Sequence, residues 1–332
     1  LNPANTLIDT QGRTVRDLRI SVTDRCNLRC VYCMPAEGMQ WLPKDDLLSY
    51  EEITRFARLC LALGVHGIRL TGGEPTVRAD LPTLVAMLNA LQPGLDLSLT
   101  TNGLKLVAMS DALRDAGLKR VNVSLDTLDR ERFHRLARRD RLADVLAGLA
   151  AAKRAGFSPI KINAVLMRGF NEDEAVALAR WARDEGFELR FIEWMPLDAQ
   201  HSWSREKLVP AAEILESLNA AFPLEPAKVE DPSAPATLYR YLDGGGRVGV
   251  IASVTRPFCG HCDRIRLTAD GQIRTCLFSL KEYDFRKAMR GGASDEEVAE
   301  LLRAAVWRKE PGHLINNPHF VQPTRGMSAI GG

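Results

Sequence analysis

A chain of 332 residues, 45% hydrophobic and 26% charged, can bury a full core in one large or two moderate domains, which excludes a disordered protein and a small disulfide-stapled one. Lys and Arg number 44 against 42 Asp and Glu, a net charge of +2, so no general affinity for nucleic acid is encoded and any preference for anions must be local. The start lacks a basic segment followed by an apolar one, and no apolar run approaches the roughly 18 residues of a membrane span, which predicts a soluble cytoplasmic protein with no membrane partner.

From residue 16 to 195, strand-like runs alternate with helical ones: DLRISVT, VHGIRLT, LDLSLTT, RVNVSLD, IKINAVL and FELRFIEW. Six such units predict a parallel sheet covered by helices. Helix starts are marked by Ser49 with Glu52 three residues on, by the Asn102-Gly103 turn, and by Asn171 ahead of EDEAVALARWARDEG. Strands buried on both faces should be nearly continuous in Val, Ile and Leu, yet these alternate. Leu18, Ile20 and Val22 oppose Arg19, Ser21 and Thr23; Ile68 and Leu70 oppose Arg69 and Thr71; Leu95, Leu97 and Leu99 oppose Asp96, Ser98 and Thr100. Val121, Val123 and Leu125 oppose Asn122, Ser124 and Asp126, and Lys161 and Asn163 follow the same rule.

With the apolar faces under helices, the polar faces line a lumen. The expected fold is α/β, a partial (βα)6 TIM-like barrel over residues 1–195, closed by a smaller C-terminal α+β domain over 196–332. Arg19, Arg69 and Lys161 would project toward one cavity, and burying unpaired cations is costly, so they imply an anionic ligand. The alternative is an open sheet with one solvated face.

Seven cysteines are an odd number, clustered in two places. Cys60, inside EEITRFARLCLALG, reads as a small buried apolar residue. Cys26, Cys30 and Cys33 lie in the loop after the first strand, where parallel α/β folds place their chemistry. No further His or Cys follows there to close a zinc site, and a disulfide would leave one thiol over. Three thiolates on an iron-sulfur cubane leave one iron free for an outside ligand. Gly72-Gly73-Glu74-Pro75 after the second strand is, read alone, a turn.

A second trio, Cys259, Cys262 and Cys276, spans a predicted Asp270-Gly271 hairpin that carries Cys276 opposite roughly Ile265. A structural zinc with His261, His313 or His319 and a second iron-sulfur cluster both fit that spacing. Arg264 and Arg266, alternating with Ile265 and Leu267, point from one face beside the trio, which a purely structural metal would not need. The terminal TRGMSAIGG alone reads as a frayed end.

Together these segments resemble the radical S-adenosylmethionine superfamily and, within it, the GTP 3',8-cyclases of molybdenum cofactor biosynthesis, the MoaA family. The likeness runs from LRISVTDRCNLRCVYCMP through IRLTGGEP and CDRIRLTADGQIRTCLF to IGG. It implies two 4Fe-4S clusters, on Cys26, Cys30 and Cys33 and on Cys259, Cys262 and Cys276. It implies S-adenosyl-L-methionine on the first, contacted by Tyr32, Gly72, Gly73, Glu74, Ser124 and Met195. GTP is then held by the second cluster and by Arg19, Arg69, Thr100, Lys161, Arg190, Arg264 and Arg266, with Gly331 and Gly332 reaching into the catalytic cavity beside Arg264 and Arg266.

The implied reaction abstracts hydrogen from ribose C3' and joins that carbon to guanine C8, giving 3',8-cyclo-7,8-dihydro-GTP. An electron donor such as a flavodoxin or ferredoxin, a downstream cyclic pyranopterin monophosphate synthase and a homodimer are compatible partners. Rival readings are a peptide-maturing radical enzyme with an auxiliary cluster and a non-enzymatic iron-sulfur redox protein. A zinc-stabilised GTP regulator is disfavoured because no G-x-x-x-x-G-K-[ST] loop is present. The chain departs from the family at Thr76-Val77, Asp263 and Thr275; Asp263 is expected to pair with Arg264 or Arg286.

Overall fold

The first helix begins where the sequence offers partners for free amides. Ser49 Oγ accepts from the Glu52 amide at 3.1 Å and Glu52 Oε2 accepts from the Ser49 amide at 2.7 Å, which starts α1, Tyr50–Ala62. The computed structural model describes residues 6–331. In chain order α1 lies between β1 (Asp17–Ser21) and β2 (Gly67–Thr71), followed by α2 (Leu81–Asn89), β3 (Asp96–Thr101), α3 (Leu106–Asp115) and β4 (Arg120–Ser124). Next come α4 (Arg130–Ala137), α5 (Leu142–Arg154), β5 (Ile160–Leu166), α6 (Ala175–Glu185), β6 (Glu188–Glu193) and α7 (Ala211–Ala221). The remainder forms β7 (Leu224–Pro226), β8 (Thr237–Tyr241), β9 (Arg247–Ile251), β10 (Arg264–Leu267), β11 (Gln272–Arg274), β12 (Tyr283–Asp284), α8 (Phe285–Arg290), α9 (Asp295–Trp307) and α10 (Met327–Ile330).

The 12 strands of the described residues form one sheet in the order β12-β11-β10-β1-β2-β3-β4-β5-β6-β9-β8-β7. The six strands of the repeat lie side by side and parallel, and β10 and β9 extend them in parallel at opposite edges. Residues after 195 therefore border the partial barrel on both sides. Antiparallel β11 and β8 follow outside them. No helix among the described residues is long and apolar enough to cross a membrane.

Neighbours in a parallel ladder share a face, and the register aligns the polar positions. Arg266, Arg19, Arg69 and Ser98 stand in one row, and Thr100, Asn122, Lys161 and Glu188 in another. On the other face Leu18, Ile20, Ile68, Leu70, Leu97, Leu99, Val121 and Val123 join the main core, where Cys60 is also buried. The polar face is itself enclosed: Ser21, Ser98, Asn122 and Arg266 are all buried. It is a lumen, not a solvated surface.

Two local expectations differ. Asn171 does not cap α6: its Oδ1 accepts from the Met167 amide at 2.8 Å, and its Nδ2 donates to the Asp126 and Val165 carbonyls at 2.8 and 3.0 Å. A turn at Glu172–Glu174 intervenes before the helix, so this side chain stitches the ends of β4 and β5 together. In the β10–β11 hairpin Arg266 faces Arg274, so continuing that register brings Cys276 level with Arg264, one residue beyond Ile265.

Candidate active site

Cys26, Cys30 and Cys33 line a cavity of about 200 Å³ at the C-terminal ends of the strands, shared with Tyr32, Gly72, Gly73, Glu74, Thr100, Ser124 and Asp126. Their loop is tied down by amides of Arg29 and Val31 donating to the Ala137 and Leu136 carbonyls at 3.0 and 2.9 Å. All seven cysteines are free. Burial pushes the Cys26 thiol up to about 11 and, with Cys26 adding its charge, Cys33 up to about 12; Cys30 is raised by burial and then by Cys33. Three sulfurs that oppose one another's ionisation fit a site completed by a cationic metal group.

Tyr32 donates its hydroxyl to Asp126 Oδ2 at 2.6 Å, and Asp126 Oδ1 accepts from the Val165 amide at 2.8 Å. Burial raises Asp126 to about 6. Asp126 follows Asn122 and Ser124 on the inner face, so alternation exposed its position but not this role.

The glycines of the GGEP turn answer to the protein's own backbone. A Cβ on Gly72 would fall 2.6 Å from the Thr23 carbonyl oxygen, and one on Gly73 would fall 2.3 and 2.4 Å from those of Asp24 and Arg25. The turn thus seats the segment leading into Cys26. Glu74 is buried, and its carboxylate accepts from the Thr76 amide at 3.0 Å, the Thr101 hydroxyl at 2.7 Å and the Asn102 amide at 2.6 Å. Met195 is not among the residues lining this cavity; it packs on a small cluster that includes Leu197, Val254 and Ile330.

A second cavity, about 500 Å³, is lined by Arg120, Lys161, Arg190, Lys228, Arg247 and Arg256, and by the carboxylates Glu230 and Asp231. Inward residues Asn163 and Lys161 put the two cavities roughly 7 Å apart along β5. Arg19, Arg69, Arg264 and Arg266 are not among this cavity's lining residues, although Arg69 feels the charges of Arg120 and Arg190.

The premise of unpaired cations needs correcting. Glu188 takes Arg190 at 2.6 Å, Arg247 at 3.0 Å and Lys161 at 3.8 Å, and Asp17 lies 3.7 Å from Arg19 Nε, which makes no hydrogen bond. Among the described residues, Arg69 alone of the three lumen cations has no carboxylate pair, only Ser98 Oγ at 3.3 Å. Burial, then Arg19, lowers Arg69 to about 9; burial, then Arg190, lowers Lys161 to about 8. Sequence reasoning missed Arg120, Glu188 and Arg247.

At the second trio Arg264 pairs with Asp263 at 3.2 Å and donates to the Ser233 carbonyl, while Arg286 pairs instead with Asp46 at 2.7 Å. Burial pushes Cys276 up to about 11. At Cys262 the upward push of burial is outweighed by Lys309 and then Arg264, so that thiol is lowered. Arg266 Nη1 donates to the Gly331 carbonyl at 2.7 Å. Gly331, at φ +84, fits between β1 and β2: a Cβ there would lie 2.6 Å from Thr71 Oγ1 and 3.0 Å from Ser21 Cβ. Met327 and Ser328 of the same segment line the first cavity. Gly332 lies outside the described residues.

The chain matches two family models, Radical SAM superfamily over residues 20–182 and Molybdenum Cofactor Synthesis C over 187–315. It is 56% identical over 331 residues to a GTP 3',8-cyclase of Streptomyces coelicolor, covering 99% of this chain and 97% of that one. It is 55% identical to a GTP 3',8-cyclase of Mycolicibacterium smegmatis, covering 98% and 92%. Among solved structures, Streptococcus suis SuiB bound to S-adenosylmethionine shares the fold, with a TM-score of 0.62 at 13% identity over 96% of this chain and 76% of that one.

Proposed function

The chain belongs to the GTP 3',8-cyclase family of the radical S-adenosylmethionine superfamily, and from that premise we propose that its lumen converts GTP to 3',8-cyclo-7,8-dihydro-GTP, an early step toward molybdenum cofactor. One observation carries the reading: a single polar face of the sheet joins a cavity lined by three cysteines to one lined by six cations. Cys26, Cys30 and Cys33 would hold a 4Fe-4S cluster, which together with S-adenosylmethionine would supply one-electron radical chemistry. The chain's own residues position, neutralise and enclose. Gly72, Gly73, Thr100 and Ser124 border the S-adenosylmethionine space, and the Tyr32–Asp126 hydrogen bond holds the loop that carries Cys33.

Lys161, Arg190, Arg120 and Arg247 supply the positive field for a triphosphate, with Arg69 and Arg19 behind them on the same face. Arg266 fixes Gly331, and that segment narrows the mouth of the first cavity and limits water. In this reading Cys259, Cys262 and Cys276 would hold a second 4Fe-4S cluster that helps to bind GTP. The electron comes from a flavodoxin or ferredoxin, and the product passes to cyclic pyranopterin monophosphate synthase.

The test is an anaerobic assay with dithionite, S-adenosylmethionine and GTP deuterated at C3'. Deuterium in 5'-deoxyadenosine, with consumption of GTP, is the expected result. Cleavage without deuterium transfer would remove GTP as the hydrogen donor, and no cleavage would favour an iron-sulfur redox protein.

A further inference from the structure

Just past α9, Lys309 is buried with its ammonium between two backbone carbonyls, of Arg264 at 2.7 Å and of Thr275. Arg264 stands two residues after Cys262 and Thr275 immediately precedes Cys276, so one side chain ties together the two strands that carry these sulfurs. A neighbouring buried cation shows what is missing. Arg13 makes an ion pair with Asp9 at 2.7 Å while it donates to the Cys259 carbonyl, also at 2.7 Å. Lys309 has no carboxylate pair among the described residues, and the adjacent Glu310 turns instead to the hydroxyls of Thr275 and Ser279.

Two carbonyl dipoles do not balance a full charge away from water, so a buried ammonium needs an anion close by. The groups that feel Lys309 are Cys259, Cys262 and Cys276, each of which it favours as thiolate. At the first trio a carboxylate acts on each sulfur, Glu74 on Cys26, Asp126 on Cys30 and Asp198 on Cys33, with Arg29 opposing it only at Cys26, whereas at the second trio Glu310 opposes Lys309 only at Cys276.

We propose that Lys309 is the resident counter-charge of the second cysteine trio, a positioning residue that fixes the arms bearing Cys262 and Cys276 and offsets the negative charge of the cluster they hold. The inference rests on the second-cluster reading above. Reduction by an added one-electron donor puts one more negative charge on that cluster and breaks no bond, so a fixed cation favours the reduced form. The second cluster is then easier to reduce than its thiolates alone would make it.

The experiment reconstitutes the full chain, wild type, Lys309→Met and Lys309→Arg. Iron and sulfide per chain are measured, and each cluster is titrated with dithionite under electron paramagnetic resonance, with the first cluster as internal reference. Lys309→Met is expected to move the second midpoint negative or to lose that cluster's iron, with the first cluster unchanged and Lys309→Arg close to wild type. Unchanged iron and potential in Lys309→Met would overturn the proposal, as would Lys309→Arg failing as Lys309→Met does, since shape rather than charge would then be at stake. Cys262→Ala tests the premise separately: if iron content does not fall in that variant, the second cluster is refuted whatever Lys309 does.

Discussion

Arg69→Met separates ligand binding from stability. Arg69 lies on the inner face of β2 between Arg19 and Ser98, with no carboxylate pair, and burial and its cationic neighbours lower it to about 9. A base held below its ordinary value penalises the folded state wherever it must stay charged, so the whole cost is present at neutral pH and fades only above about 9. At ~1.4 kcal/mol for each pH unit the cost has a ceiling of ~5 kcal/mol. Partial solvent access screens the charge, and losing the Ser98 hydrogen bond offsets some of the gain, leaving about 2 kcal/mol. Removing the charge should therefore stabilise the ligand-free protein and raise its melting temperature by about 4 °C. If GTP binds as proposed, the same change removes one charge from the field behind the cavity, about 1.4 kcal/mol or roughly tenfold in GTP affinity. The assay is calorimetric melting and GTP titration of the cluster-loaded protein under anaerobic conditions. A variant that melts lower and binds GTP as tightly as wild type would refute the reasoning.

The charge state of Lys161 gives a pH dependence: the ammonium is present below about 8 and lost above it, so GTP affinity should fall as pH rises through that value, by up to about tenfold per unit. Titrations from pH 7 to 9.5 on wild type and Lys161→Arg check it, and the fall should be much shallower in the arginine variant. Gly331→Ala forces a side chain at φ +84 against Thr71 and Ser21, so turnover should collapse while iron content holds; removing Gly331 and Gly332 together should do the same, and normal turnover in either would count against the tail's role. Gly73→Ala sets a Cβ against the Asp24 and Arg25 carbonyls, so iron assays should show loss from the first trio with the second retained.

Alternation made the lumen legible, because inward positions on parallel strands repeat every second residue and the ladder aligns them. Applied further, the same rule reaches Arg120, in phase with Asn122 and Ser124, and Glu188, in phase with Arg190; no motif drew attention to either. The pairing of Glu188 with three cations depends on register between β5, β6 and β9, which no single strand encodes. The reason for Gly72 and Gly73 was equally hidden. Their constraint is the 23–25 backbone against which the turn folds, a contact between segments about 50 residues apart. Lys309 is one lysine after an amphipathic helix, indistinguishable in sequence from a solvated surface charge. The cysteine trios could be read because three sulfurs at fixed short spacings have few chemical uses.

Both flanks of the six-strand repeat are closed by chain that comes later, β9 beside β6 and β10 beside β1. A nascent polypeptide that has reached residue 195 therefore carries two raw strand edges, each a template for wrong pairing with another molecule. At about 5–20 residues per second the next 72 residues take roughly 4–14 s, and only then can β10 cover β1. The segment from Met327 to Gly331, two residues of which line the first cavity, arrives later still, well after the first trio is synthesised. Order along the chain thus sets an order of assembly: the six-strand repeat first, its edges covered after it, and the 327–331 segment added to the first cavity after that.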